Sequence, residues 1–113
     1  MRLLIIFCFV SFSFFSYAQQ SPTKNDEASL EVLGNCGMCK KRIEKAALSL
    51  KGVKMASWDI PSNILSVTYN SNKISPDQIQ SAVADVGHDT PLFKAPDNVY
   101  NELPMCCIYE RKP

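Results

Sequence analysis

Residues 28–53 read ASLEVLGNCGMCKKRIEKAALSLKGV, and their periodicities decide the fold. Leu30 and Val32 alternate with Ser29 and Glu31, the two-residue period of a short strand. Gly34-Asn35-Cys36-Gly37 is a turn-rich loop. Cys39, Ile43, Ala46, Ala47 and Leu50 then recur at helical spacing, while Lys40, Lys41, Arg42 and Lys45 lie elsewhere around the cylinder. This amphipathic helix is expected to end near Lys51-Gly52, where glycine serves as a C-terminal cap.

Downstream, Ala56, Trp58 and Ile60 alternate within a second strand over residues 53–60, with Trp58 facing the core. Pro61-Ser62-Asn63 turns the chain, and Leu65, Val67 and Tyr69 mark a third strand, closing a hairpin. Ser75-Pro76-Asp77-Gln78 is a helix start: Ser at the N-cap, Pro at the first position, Gln three residues after the cap. Ile79, Ala82, Val83 and Val86 form its apolar stripe, and Gly87 closes it. Residues 88–94 read as a weaker last strand, which Pro91 restricts to a sheet edge. The order β-α-β-β-α-β predicts an α+β ferredoxin-like domain over residues 28–94, an antiparallel sheet with both helices on one face.

Upstream, Arg2 precedes an almost wholly apolar run from Leu3 to Phe15, followed by Ser16-Tyr17-Ala18. That pattern predicts a signal peptide over residues 1–18, an exported and periplasmic protein, and a mature form that does not span a membrane. Residues 19–27 read as a flexible leader, and residues 95–113 as a cysteine-containing tail outside the domain. The chain of 113 residues has 12 Lys and Arg against 11 Asp and Glu. With Arg2 removed the balance is near neutral, which gives no footing for nucleic-acid binding. A monomer is expected.

Of the 5 cysteines, Cys8 falls in the expected signal peptide and four remain. Cys36 and Cys39, three apart across a loop-to-helix junction, can aim both sulfurs at one ion. The helix N-terminus favours thiolate over thiol, and Lys40, Lys41 and Arg42 add positive charge. Soft thiolates select copper(I) first, then mercury(II), cadmium or zinc. Two sulfurs suit a near-linear copper(I) or mercury(II) site and leave zinc two ligands short.

Cys36-x-x-Cys39-x-x-x-Ile43-Glu44, with Gly52-Val53 in register, resembles the heavy-metal-associated domain family. That family includes copper chaperones, modules of copper-transporting ATPases and the periplasmic mercury-binding protein. The resemblance implies that Cys36 and Cys39 bind metal and pass it by thiolate exchange to a metal-transporting membrane protein or another metal-binding domain. The family usually carries Met two residues before the first cysteine; here that position is Gly34, leaving Leu33 or Met38 to support the loop.

His88, in the loop before the last predicted strand, is a candidate third ligand or else a surface histidine on a turn. Cys106 and Cys107 either fold back to add thiolates or bind a second ion, or are oxidised to each other or to Cys36 and Cys39. Met38 and Met55 read as packing residues, and the Lys40-Lys41-Arg42 cluster as a solvated face or an acidic partner's docking patch. The rival reading of Cys-Gly-x-Cys is a thiol-disulfide oxidoreductase, but Asn35 precedes Cys36 and a hairpin separates the helices, neither of which suits a thioredoxin-like site. No enzyme is expected: no Ser-His-Asp set, paired-carboxylate site or phosphate-cradling glycine loop is present.

Overall fold

The computed structural model describes residues 24–113. The expected signal peptide, residues 1–18, lies outside the described residues. Three strands form one antiparallel sheet: β1 (Asn25–Glu31), β2 (Val53–Asp59) and β3 (Ile64–Asn70), in the spatial order β1-β3-β2. Helices α1 (Gly37–Leu48) and α2 (Pro76–Asp85) carry the crossovers, as the periodicities require. This is the predicted ferredoxin-like architecture with a shorter sheet.

Alternation on the central strand sets the core. Leu65, Val67 and Tyr69 on β3 are buried. Leu65 is flanked by Leu30 of β1 and Trp58 of β2, and Val67 by Ala28 and Ala56. Register is strongly specified in such a sheet, because a one-residue slip would turn this entire row to the other face. Ile43 and Ala47 of α1 and Ile79 and Val83 of α2 are fully buried in the same cluster. The capping box of α2 forms as expected, with the Ser75 side chain accepting from the Gln78 N–H and the Gln78 side chain accepting from the Ser75 N–H. Gly52 and Gly87, at φ +103° and +115°, occupy the left-handed region that favours glycine.

Four expectations need correction. β1 starts at Asn25 rather than Ala28, because β3 runs to Asn70 and its backbone groups find partners opposite Asn25, Asp26 and Glu27. Residues 88–94 form no strand: Thr90 turns the chain, its N–H donating to the Phe93 carbonyl at 2.8 Å, and Pro91 has no N–H to offer a ladder. What survives of the fourth strand is one bond from Leu33 N–H to the Asp89 carbonyl, 3.0 Å.

Ile60 lies beyond β2 and is exposed. The last correction is the largest. Residues 95–113 do not stand outside the domain: a short helix α3 (Asp97–Asn101) and a 3-10 turn (Met105–Cys107) return the chain, and Cys107 and Tyr109 are buried. Tyr109 explains this. Its hydroxyl donates to the Gly87 carbonyl at 2.7 Å and accepts the Asp89 N–H at 2.8 Å, so its ring enters the interior with its polar end satisfied.

Candidate metal centre

The site begins with the exit from β1. Trp58, fully buried, donates its indole N–H to the Val32 carbonyl at 3.0 Å and fixes the end of that segment. Glu44 holds Trp58 from the other side: its carboxylate accepts the Trp58 N–H at 2.9 Å and the Lys40 ammonium at 2.7 Å. Lys40 also donates to the Trp58 carbonyl. A Cβ on residue 34 would come 3.0 Å from the Trp58 ring and 3.2 Å from Cys39 Cβ. Gly34 therefore stands where the loop passes over Trp58. Trp58, not Leu33 or Met38, supports the loop from below. Met38 is 52 % exposed and Met55 67 % exposed, so neither is the packing residue expected from its type.

Cys36 is the N-cap of α1, in an extended conformation, and its carbonyl accepts the Lys40 N–H. Its sulfur sits at the helix mouth, where the first-turn N–H of Cys39 favours the thiolate. Cys39, one turn into the helix, is fully buried and accepts the Asn35 N–H at 3.5 Å. The two sulfurs lie 3.5 Å apart. Lys40 is tied to Glu44, and Arg42 reaches Cys107, with Nη1 3.5 Å from its sulfur. The basic cluster is thus partly structural.

The tail brings two more sulfurs. Cys36 Sγ lies 2.8 Å from Cys106 Sγ and 3.4 Å from Cys107 Sγ, and those two are 3.9 Å apart. The ligand atoms of Cys36, Cys106 and Cys107 all fall within 4.8 Å of one another. All four cysteines among the described residues are free. Burial of Cys36 works upward on its pKa, but hydrogen bonds from Cys106, the Cys39 N–H, Cys107 and the Cys39 thiol outweigh it and bring it down to about 6. Cys106 is pushed up, chiefly by its side-chain hydrogen bond with Cys36. Burial, then the Cys39 and Cys36 thiols, push Cys107 up further. The surrounding thiols thus favour the thiolate form at Cys36.

His88 is not in that group of ligand atoms. It is fully buried, not on a surface turn; Nδ1 lies 2.9 Å from the Leu33 carbonyl, and the ring stacks against Tyr109. Nε2 has no hydrogen-bond partner among the described residues. Burial, more than the nearby Arg42, holds its pKa below the ordinary imidazole value and keeps the ring neutral. Sequence reasoning missed the tail's anchors. Arg111 forks onto Asp89 with two bonds of 2.8 Å and also donates to Asp97 and the Ala95 carbonyl. Asn35, beside Cys36, donates to the Ile108 carbonyl at 2.9 Å. No spacing rule connects these residues.

Residues 35–89 match the family model described as the heavy-metal-associated domain. The copper chaperone CopZ of Staphylococcus haemolyticus is 34% identical over 55 residues, which is 49% of this chain and 81% of that protein. Among solved structures, a CopZ metallochaperone superposes with a TM-score of 0.56 at 32% identity, covering 57% of this chain and 98% of the other. Oxidized MerP from Ralstonia metallidurans CH34 gives 0.57 at 25% identity, with 59% and 94% covered. The N-terminal domain of a potential copper-translocating P-type ATPase from Bacillus subtilis gives 0.56 at 26%, with 59% and 85% covered. The family match ends at Asp89, short of the tail that carries Cys106 and Cys107. With its strand order, its Cys-x-x-Cys at the mouth of α1 and these relatives, the chain belongs to the heavy-metal-associated domain family.

Proposed function

We propose that this protein is a carrier that binds copper(I) through Cys36 and Cys39 and passes it to the thiolates of an acceptor. The observation that carries this reading is the position of Cys36, the N-cap of α1 with its pKa lowered to about 6 and a second motif sulfur 3.5 Å away. A thiolate is the form that binds a soft cation, and a site already ionised near neutral pH binds it without a large proton cost. Copper(I) takes few, soft ligands, and the likeness to copper chaperones supports it over mercury(II), for which the likeness to MerP is the support. Cadmium and zinc follow from the same softness. A membrane metal pump bearing a related domain is the proposed acceptor, supported by the likeness to the copper-translocating ATPase domain.

Among the described residues no helix is long and apolar enough to cross a membrane. We place the mature protein in an exported, periplasmic setting on the strength of residues 1–18, and regard it as a monomer. It is a carrier rather than an enzyme: the Cys-x-x-Cys serves ligation. Titrating the reduced protein with copper(I) against a chromogenic chelator tests this. A one-to-one complex that Cys36→Ser abolishes is expected; weak uptake indifferent to that substitution would sink the carrier. Sustained insulin reduction by the same protein would favour a thiol-disulfide oxidoreductase instead.

A further inference from the structure

Four sulfurs meet at one end of the sheet, and two of them lie outside the family motif. Cys36 is the hub, 2.8 Å from Cys106, 3.4 Å from Cys107 and 3.5 Å from Cys39. We propose that Cys106 and Cys107 are intramolecular ligands for the ion held at Cys36, so that the chain carries a three- to four-sulfur site closed by its own tail. This deepens the soft-metal reading above and rests on it.

The placement is built, not incidental. Just after the sulfurs the tail is fastened by bonds that involve none of them: Asn35 to the Ile108 carbonyl, Tyr109 to Gly87 and Asp89, Arg111 to Asp89 and Asp97. Leu103 approaches Gly87 so closely that a Cβ there would lie 2.8 Å from its side chain. The 3-10 turn then presents Cys106 and Cys107 together, adjacent residues aimed at one neighbour. Their spacing suits a shared ion. Bonds of about 2.3 Å to a tetrahedral metal set sulfurs roughly 3.8 Å apart, and the separations among Cys36, Cys106 and Cys107 run from 2.8 to 3.9 Å. Arg42, 3.5 Å from Cys107 Sγ, supplies positive charge where a second thiolate would form.

Two consequences follow. A site with three or four sulfurs serves trigonal copper(I) and also completes the tetrahedron that zinc or cadmium needs, which Cys36 and Cys39 alone do not. Release is also gated. Cys107 and Cys39 are buried and Cys106 is exposed, so an acceptor's thiolate must first displace Cys106. Such a protein holds its ion longer than a two-sulfur domain and yields it by exchange at the outermost ligand.

Copper K-edge absorption on the reduced full chain loaded with one equivalent of copper(I) counts the sulfurs directly. The expected count is three or four for the parent, and two for the Cys106→Ser/Cys107→Ser variant. Cys106→Ser alone touches an exposed side chain, so it separates ligand loss from misfolding. It should lose one sulfur and speed transfer to a chelator by at least the roughly tenfold that even an outer partner of a ligand contributes. A parent with two sulfurs, and a transfer rate unchanged in Cys106→Ser, would overturn the tail's role while leaving the carrier intact. A parent that takes up no copper(I) would bring down both.

Discussion

The Trp58 ring lies directly beneath Gly34, so close that a Cβ on residue 34 would sit 3.0 Å from it. Trp58 is thus the floor of the cysteine loop, held by Val32, Glu44 and Lys40. Two bulky groups cannot share that space. Gly34→Met, which restores the residue usual in the family, should destabilise the fold by about 1–3 kcal/mol through overpacking. Trp58→Ala should cost about 3–5 kcal/mol. In the double variant the Met side chain enters the vacated volume, so the penalties should sum to less than the two single values. Chemical denaturation of the three variants checks this, and strict additivity would show that the two positions do not share a cavity.

The Asp89–Arg111 pair clasps the tail to the domain, with Asp89 almost entirely buried. Burial alone would push the Asp89 carboxyl up, but the Arg111 guanidinium outweighs it and holds the pKa below the ordinary value. A carboxylate depressed in the folded state stabilises the protein above its unfolded pKa, and the contribution disappears as pH falls through the folded one. Stability should therefore drop below about pH 4. Arg111→Ala should remove roughly 3 kcal/mol at neutral pH, since it strands a buried carboxylate, and flatten that acid limb. Thermal melts from pH 2 to 7 measure both.

His88 acts on the same curve at a higher pH. Its pKa is lowered by burial, so the folded protein holds the neutral ring and the unfolded chain binds the proton more readily. Stability is then complete above the unfolded imidazole value, about 6.5, and declines as pH falls below it. His88→Gln should remove the decline between pH 7 and 5 while leaving the copper-to-protein ratio unchanged. A lost copper equivalent in that variant would instead make His88 a ligand.

Cys36 should be the first sulfur to react. In the reduced, metal-free protein, iodoacetamide should alkylate it with a half-maximal rate near pH 6, the value its neighbours impose. Cys107, whose pKa is raised by burial and by the thiols beside it, should react last. Because Cys106 supplies the largest of the hydrogen bonds that lower Cys36, Cys106→Ser should move the midpoint to higher pH. Peptide mapping of the alkylated protein over pH 5–9 reads out the order.

Local pattern carried most of the frame. Period-two apolar positions around Leu30, Trp58 and Leu65, period-3.6 positions along both helices, and the Ser75-Pro76-Gln78 start are near-neighbour preferences, so they are legible from one chain. The motif Cys36-x-x-Cys39 is legible for the same reason: its two sulfurs are one helical turn apart, and the helix end sets their chemistry. A fourth strand does not form because the alternation of residues 88–94 is short and Pro91 withholds the ladder bond a strand there would need.

By itself, then, the sequence determined the sheet and helix order, the core face and the sulfur pair at the mouth of α1, since each depends on residues a few positions apart. Only the tertiary structure decided that Cys106 and Cys107 reach Cys36, that His88 is buried, and that Trp58 floors the loop. Those facts rest on contacts such as Asn35 to Ile108 and Asp89 to Arg111, between residues distant in the chain. Closing such loops costs entropy that grows only slowly with their length, so many pairings are affordable to the chain and no local rule selects among them. The selection is made by packing: the Tyr109 hydroxyl, bonded to Gly87 and Asp89, fits in one place, and the tail sulfurs follow it.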